Sequence, residues 1–177
     1  NESWRIIRNE GYFPEVIPPS KLASYIVGSC DSVIFNKYPW GWQEQGYDDT
    51  RWKTPVKESK GKYFNDKRIL IPRDIPLLEE KTESISGLVR VSGVELNELK
   101  SKGDSSLYIP ANTTAEILFD RKTLTTAYPE ITFSGGANSH VRITYAESLF
   151  DDKNLKGNRD QTKGKKIRGY YDVFLPD

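Results

Sequence analysis

Three stretches of this 177-residue chain hold side chains whose types and spacing could do chemistry. The first is Tyr38-Pro39-Trp40-Gly41-Trp42-Gln43-Glu44-Gln45-Gly46-Tyr47-Asp48-Asp49-Thr50-Arg51-Trp52, which sets three of the four tryptophans beside a pair of carboxylates. Indole faces stack on the C–H face of a pyranose ring, and Asp48, Asp49 and Gln43 can exchange hydrogen bonds with its hydroxyls. Trp40, Trp42, Tyr47, Asp48, Asp49 and Trp52 are therefore a candidate carbohydrate platform. The competing reading is that the tryptophans pin this loop onto a sheet while Asp48 or Asp49 caps a turn through nearby backbone N–H groups.

The second stretch is Asp151-Asp152-Lys153-Asn154. Its oxygens suit calcium, a hard cation, but the spacing is not that of an EF-hand loop and the lysine opposes a cation. No cofactor and no metal site are expected, and a solvated turn is the simpler reading. The third is the lone His140, beside a turn with no Ser-His-Asp or Cys-His arrangement around it. Splitting a glycosidic bond takes two carboxyl groups facing each other across a pocket, one protonated and one ionised. Sequence neighbours such as Asp48 and Asp49 point to opposite sides of an extended chain, so neither pair can do this alone. Catalysis by this chain on its own is not expected.

Composition narrows the partners. With 26 basic and 25 acidic residues, no global field recruits nucleic acid or an anionic membrane surface. The basic run from Lys153 to Arg168 lacks interleaved aromatics for base stacking and reads as a charged loop. No apolar run approaches the roughly 20 residues of a membrane helix, and no signal-peptide pattern opens the chain. The single Cys30 excludes an internal disulfide. Methionine is absent even at position 1, as expected of a piece excised or processed from something longer.

The elements that must position these residues read as strands. Val141, Ile143 and Tyr145 alternate with Arg142, Thr144 and Ala146, the period of two of a half-buried strand. Ile131 and Phe133 alternate likewise on the approach, and Gly135-Gly136 between them are free to take positive φ, so residues 128–149 predict an antiparallel hairpin. Further strands are expected at Ser84–Leu96, broken or bulged at Gly87 and Gly93, at Thr114–Asp120 with Ala115, Ile117 and Phe119 on one face, and at Tyr170–Leu175. Residues 1–30, with several prolines and the short apolar run Tyr25-Ile26-Val27, predict irregular, extended chain with one or two short strands. No long amphipathic helix is visible. The expected fold is all-β, an antiparallel jelly-roll or β-sandwich. Its division is residues 1–56 as the closing part of one sandwich with the Trp-rich loop, 57–83 as a linker, and 84–177 as a further sandwich domain, open at its C-terminal end.

Four pieces resemble a known family. Tyr38-Pro39-Trp40-Gly41-Trp42 followed by Tyr47-Asp48-Asp49-Thr50-Arg51-Trp52 is similar to the tryptophan-rich segment before the second sandwich of bacterial α-L-rhamnosidases, the glycoside hydrolase family 78 type. Leu70-Ile71-Pro72-Arg73-Asp74-Ile75-Pro76-Leu77-Leu78-Glu79-Glu80 resembles their linker. Phe119-Asp120 to Tyr128, Ser134-Gly135-Gly136 and Ile143-Thr144-Tyr145-Ala146-Glu147-Ser148-Leu149 resemble the sandwich before their catalytic barrel, and Lys156-Gly157-Asn158-Arg159 and Gly169-Tyr170-Tyr171-Asp172 continue it. The resemblance implies a non-catalytic region that scaffolds an (α/α) barrel within the same parent protein, and that holds carbohydrate. The parent would hydrolyse terminal α-L-rhamnose with inversion, and family habit implies a periplasmic, cell-surface or secreted site. Glu147 then becomes a candidate for the interface with that barrel. The alternatives are a stand-alone carbohydrate-binding module and a protein-interaction sandwich, the latter marked by a contiguous exposed apolar patch.

Overall fold

The computed structural model describes residues 3–15, 29–56, 72–85, 87–95 and 106–177. Its chain forms two compact units, residues 1–8 with 40–84, and 9–39 with 85–177. Within the larger unit, strands from both ends of the chain share one sheet. Tyr25-Ile26-Val27 and the linker residues 57–71 lie outside the described residues.

The larger unit holds six strands: β1 (Tyr12–Glu15), β2 (Cys30–Ile34), β3 (Leu88–Ser92), β4 (Glu116–Phe119), β5 (Val141–Tyr145) and β6 (Tyr170–Leu175), of which β2 is unforeseen from sequence. Four make a sheet in the order β1-β2-β6-β5, and β3 and β4 make a two-stranded sheet of their own. The chain is thus all-β, with one short 3₁₀ turn at Phe35–Lys37 as the only helical element among the described residues. One pairing departs from the antiparallel expectation: β2 and β6 run parallel, with Val33 opposite Phe174. Parallel neighbours need no tight turn between them, so 135 intervening residues are no obstacle. β1 pairs β2 and β5 pairs β6 in the antiparallel sense.

The predicted hairpin over residues 128–149 does not form. Its second half is β5, but β5 takes β6 as its partner, with Ile143 opposite Asp172 and Tyr145 opposite Tyr170. Ile131 and Phe133 are in no strand. Phe133 instead meets the rings of Phe35, 5.4 Å away edge-on, and Phe174, 5.8 Å away. Such aromatic contacts are worth about 0.5–1.5 kcal/mol each beyond area burial, comparable with a hydrogen bond of a short ladder. Gly135 and Gly136 do take positive φ, 71° and 87°, so the turn exists although the hairpin does not.

The core is small and gathers at β2 and β6. Cys30, Val33 and Val173 are buried, joined by Leu149 and Phe150 just beyond β5. Each such side chain contributes about 1.5–3 kcal/mol on burial. Phe150 anchors what the sequence presents as a solvated loop. Its backbone exchanges two hydrogen bonds with Lys166, of 2.9 and 2.8 Å, and its ring lies beneath the Lys156 ammonium and the Arg168 guanidinium. In the β3–β4 pair, Gly87 and Gly93 flank the strand with φ of 100° and 82°, and a bulge falls between Leu88 and Arg90. Phe119, on the same strand face as Ile117, is 41% exposed.

Candidate functional site

The Trp-rich loop belongs to the smaller unit and is built entirely from turns. Gly41 and Gly46, with φ of 78° and 89°, allow Glu44 N–H to reach the Gly41 carbonyl at 2.8 Å and Tyr47 N–H the Glu44 carbonyl at 3.2 Å. A third turn closes where Trp52 N–H donates to the Asp49 carbonyl at 2.9 Å. Paired hydrogen bonds between Ile6 and Lys53, with Arg5 Nη1 donating to Thr54 Oγ1 at 2.8 Å, tie the loop's exit to the start of the chain.

Within this frame the six candidate residues divide. Tyr47 and Trp52 meet edge to face, centroids 5.6 Å apart, and both are half-buried. They hold the loop. Asp48 Oδ1 accepts hydrogen bonds from the Thr50 hydroxyl at 2.6 Å and the Thr50 N–H at 3.1 Å. Those two bonds, the hydroxyl's the stronger, hold the exposed Asp48 carboxyl below the usual carboxylate range. The turn-capping role proposed for this aspartate is therefore present, leaving its Oδ2 to solvent-side partners. Asp49 sits half-buried at the base of the last turn. Trp40 and Trp42 are 55% and 54% exposed, so the indoles that open the loop present a large apolar surface to solvent.

A second polar arrangement, unforeseen from sequence, lies in the four-stranded sheet. Asp31 on β2 and Asp172 on β6 stand one step before the Ser32–Val173 pair in the parallel register, and so project from the same face. Asp172 Oδ1 accepts the Asp31 N–H at 2.8 Å, and its Oδ2 accepts the Tyr145 hydroxyl at 2.7 Å. The Tyr12 hydroxyl donates to Asp31 Oδ1. Burial, and then the bond to Asp172, pushes the Tyr145 hydroxyl far above its ordinary value; for Tyr12 the bond to Asp31 is the larger cause. Neighbouring Cys30 is pushed up chiefly by burial, which makes it an inert thiol. The phenols donate and the carboxylates accept, so this chain of bonds stitches all four strands together. Nothing local announces it: Asp31 and Asp172 are 141 residues apart, and only the sheet order joins them.

The remaining candidates are dispersed. Asp151 Oδ1 accepts the N–H groups of Lys153 and Leu155, both at 2.9 Å, while Asp152 pairs with Lys166 at 3.4 Å. These carboxylates serve a turn and an ion pair, and among the described residues no group of three His, Cys, Asp or Glu could hold a metal ion. His140 is exposed. Glu147 is exposed and lies 3.9 Å from Lys156. A hollow of about 660 Å³ runs along β3 and the three residues that follow it, 88–95, and contains none of the sequence candidates. Among the described residues, no helix is long and apolar enough to cross a membrane. Compared with known proteins, the chain matches no family model, no curated protein and no solved structure.

Proposed function

We propose that this chain is a non-catalytic, jelly-roll-like region of an α-L-rhamnosidase-type glycoside hydrolase, and that its Trp-rich loop holds carbohydrate for the parent enzyme. The observation that carries this reading is the division within the loop. Tyr47 and Trp52 supply the anchoring that a loop requires, while Trp40 and Trp42 remain more than half exposed. Solvent-facing indoles and a fixed carboxylate on one loop are a combination suited to sugar recognition, stacking on C–H faces and accepting from hydroxyls. Asp48, constrained by Thr50, is the hydrogen-bonding partner in this arrangement.

The test is titration of the chain with L-rhamnose and rhamnose-terminated oligosaccharides, read by tryptophan fluorescence and calorimetry. Saturable quenching that disappears in Trp42→Ala is the expected result. A folded chain whose fluorescence and heat stay flat across the panel would remove the binding role.

The scaffolding role is favoured by a separate observation. Leu77, Leu78 and Tyr128 are 79%, 85% and 87% exposed, and five residues make up the buried apolar core of the described chain. Apolar side chains so bare, on each of the two units, are suited to cover by a neighbouring domain such as the barrel. In the parent protein, Leu77→Ser with Leu78→Ser should weaken association of this region with the barrel, measured as loss of a shared melting transition. Unchanged cooperativity would count against scaffolding through that segment.

A further inference from the structure

We propose that the turns around Lys122 and Asn158–Lys165, together with Arg90 of β3, form a docking surface for acidic polysaccharide, a polymer whose sugar rings carry carboxylates. The inference rests on the reading of the chain as carbohydrate-binding, but uses a different surface from the Trp-rich loop. Three segments far apart in sequence converge here through main-chain carbonyls. Arg90 Nη2 donates to the Lys165 carbonyl at 3.1 Å, Arg159 Nη2 to the Lys122 carbonyl at 2.5 Å, and Lys165 Nζ to the Asn158 carbonyl at 3.4 Å.

The choice of acceptor matters. Cations repel one another, and a protein that gathers them for its own stability usually sets carboxylates between them. That happens within part of this surface, where Lys122 meets Asp120 at 2.9 Å and Arg159 Nε lies 3.7 Å from Asp160, and beside it, where Lys166 meets Asp152 at 3.4 Å. Arg90, Lys163 and Lys165 have no carboxylate partner among the described residues. A carbonyl orients a cation but leaves its charge uncancelled, so Arg90, Lys163 and Lys165 give this surface more cations than carboxylates in a chain of net charge +1. Lys163 stands exposed in the tight turn closed by Lys165 N–H and the Thr162 carbonyl, and Gly164 at φ 71° forms that turn. Arg90 also lines the hollow along β3, beside the aliphatic Leu88 and Val89, so an anionic ring has both a cation and an apolar flank. Residues 151–168 contain no aromatic side chain, which removes the base-stacking platform that a nucleic-acid partner would use.

The experiment compares binding of the full chain to polygalacturonate, to its methyl ester and to a DNA duplex at low salt. Polygalacturonate should bind saturably, weaken as salt rises, and bind about fivefold less well to the Lys163→Ser/Lys165→Ser variant. The Lys163→Arg/Lys165→Arg variant, which keeps the charge, should bind as the parent does. Equal affinity for the uncharged methyl ester, unchanged affinity in the serine variant, or tighter binding of the DNA would each overturn the proposal. Rhamnose-dependent quenching of Trp42 is read on the same samples. Its loss with polygalacturonate binding intact refutes the tryptophan site alone, and the converse refutes the basic surface alone.

Discussion

The Trp-rich loop and the four-stranded sheet use the same residue types, aspartates and aromatics, to opposite ends. In the sheet, Asp31 and Asp172 are spent on the hydroxyls of Tyr12 and Tyr145, and long-range bonds across four strands hold them. In the loop, Asp48 bonds two residues along the chain, and the aromatic surface of Trp40 and Trp42 faces solvent. A polar group half-buried among strands needs a partner, whereas one on an exposed turn can meet a ligand. Substitution in the sheet should therefore unfold the chain, whereas substitution in the loop should only blind it.

The largest effect should come from Gly169, just before β6. A Cβ there would lie 1.8 Å from the Tyr145 carbonyl oxygen, which is backbone on the neighbouring strand and cannot swing aside. Gly169→Ala should therefore force β5 and β6 apart and cost about 3 kcal/mol, seen as a lowered urea midpoint. The loop offers the contrast. At Gly46 nothing lies within 4 Å, and only its φ of 89° resists a side chain, so Gly46→Ala should cost about 1 kcal/mol. Equal losses at the two glycines would dissolve the distinction between the regions.

Next in size is Asp172. Replacing it by alanine strands the Asp31 N–H and the Tyr145 hydroxyl in a half-buried setting, at about 2–3 kcal/mol for the two lost charge-assisted bonds. Asp172→Asn keeps an acceptor and the shape, and should recover part of that loss in the same denaturation series. A variant as stable as the parent would mean that the four strands do not depend on this stitch.

Much of this architecture was legible locally and little of it globally. The alternation at Val141–Tyr145, the flanking glycines of Leu88–Ser92 and the apolar run at Tyr170–Leu175 each declared a strand, because a half-buried strand writes its period into the side chains. Which strands pair is another matter. β5 had a plausible partner only a turn away in Ile131 and Phe133, yet Phe133 gains more against Phe35 and Phe174. The true partner lies beyond a 24-residue excursion, 146–169, that folds around Phe150. The parallel β2–β6 pair spans most of the chain and leaves no local mark. The Trp-rich loop was readable because its turn glycines, capping aspartate and indoles are contiguous. The Asp31–Asp172 network was not, for the same reason that it is strong.

Tyr145 tests that network through pH. Its folded-state pKa is raised, by burial and then by the bond to Asp172, so ionisation is harder in the folded chain than in the unfolded one. The resulting stabilisation is fully present below the unfolded tyrosine value of about 10 and is lost as pH climbs past it toward the folded value. Tyr145→Phe should cost about 1 kcal/mol at pH 8, and its melting temperature should then fall less than the parent's between pH 9 and 11. An alkaline slope that the substitution leaves untouched would assign the loss to other groups.

The smallest expected change in stability is at Trp42, and it is the most telling. An indole this exposed contributes little to packing, and surface substitutions away from caps and cores usually stay within about 0.5 kcal/mol. Trp42→Ala should melt with the parent. Trp52→Ala, which removes the ring packed edge-on against Tyr47, should instead lower the melting temperature of the smaller unit. If Trp42→Ala were the more damaging of the two, its indole would be an anchor and Trp52 the better candidate for ligand contact. If it is silent in melting and loses the rhamnose response, stability and recognition are carried by different tryptophans of one loop, and the exposed indole has no packing role that would otherwise explain it.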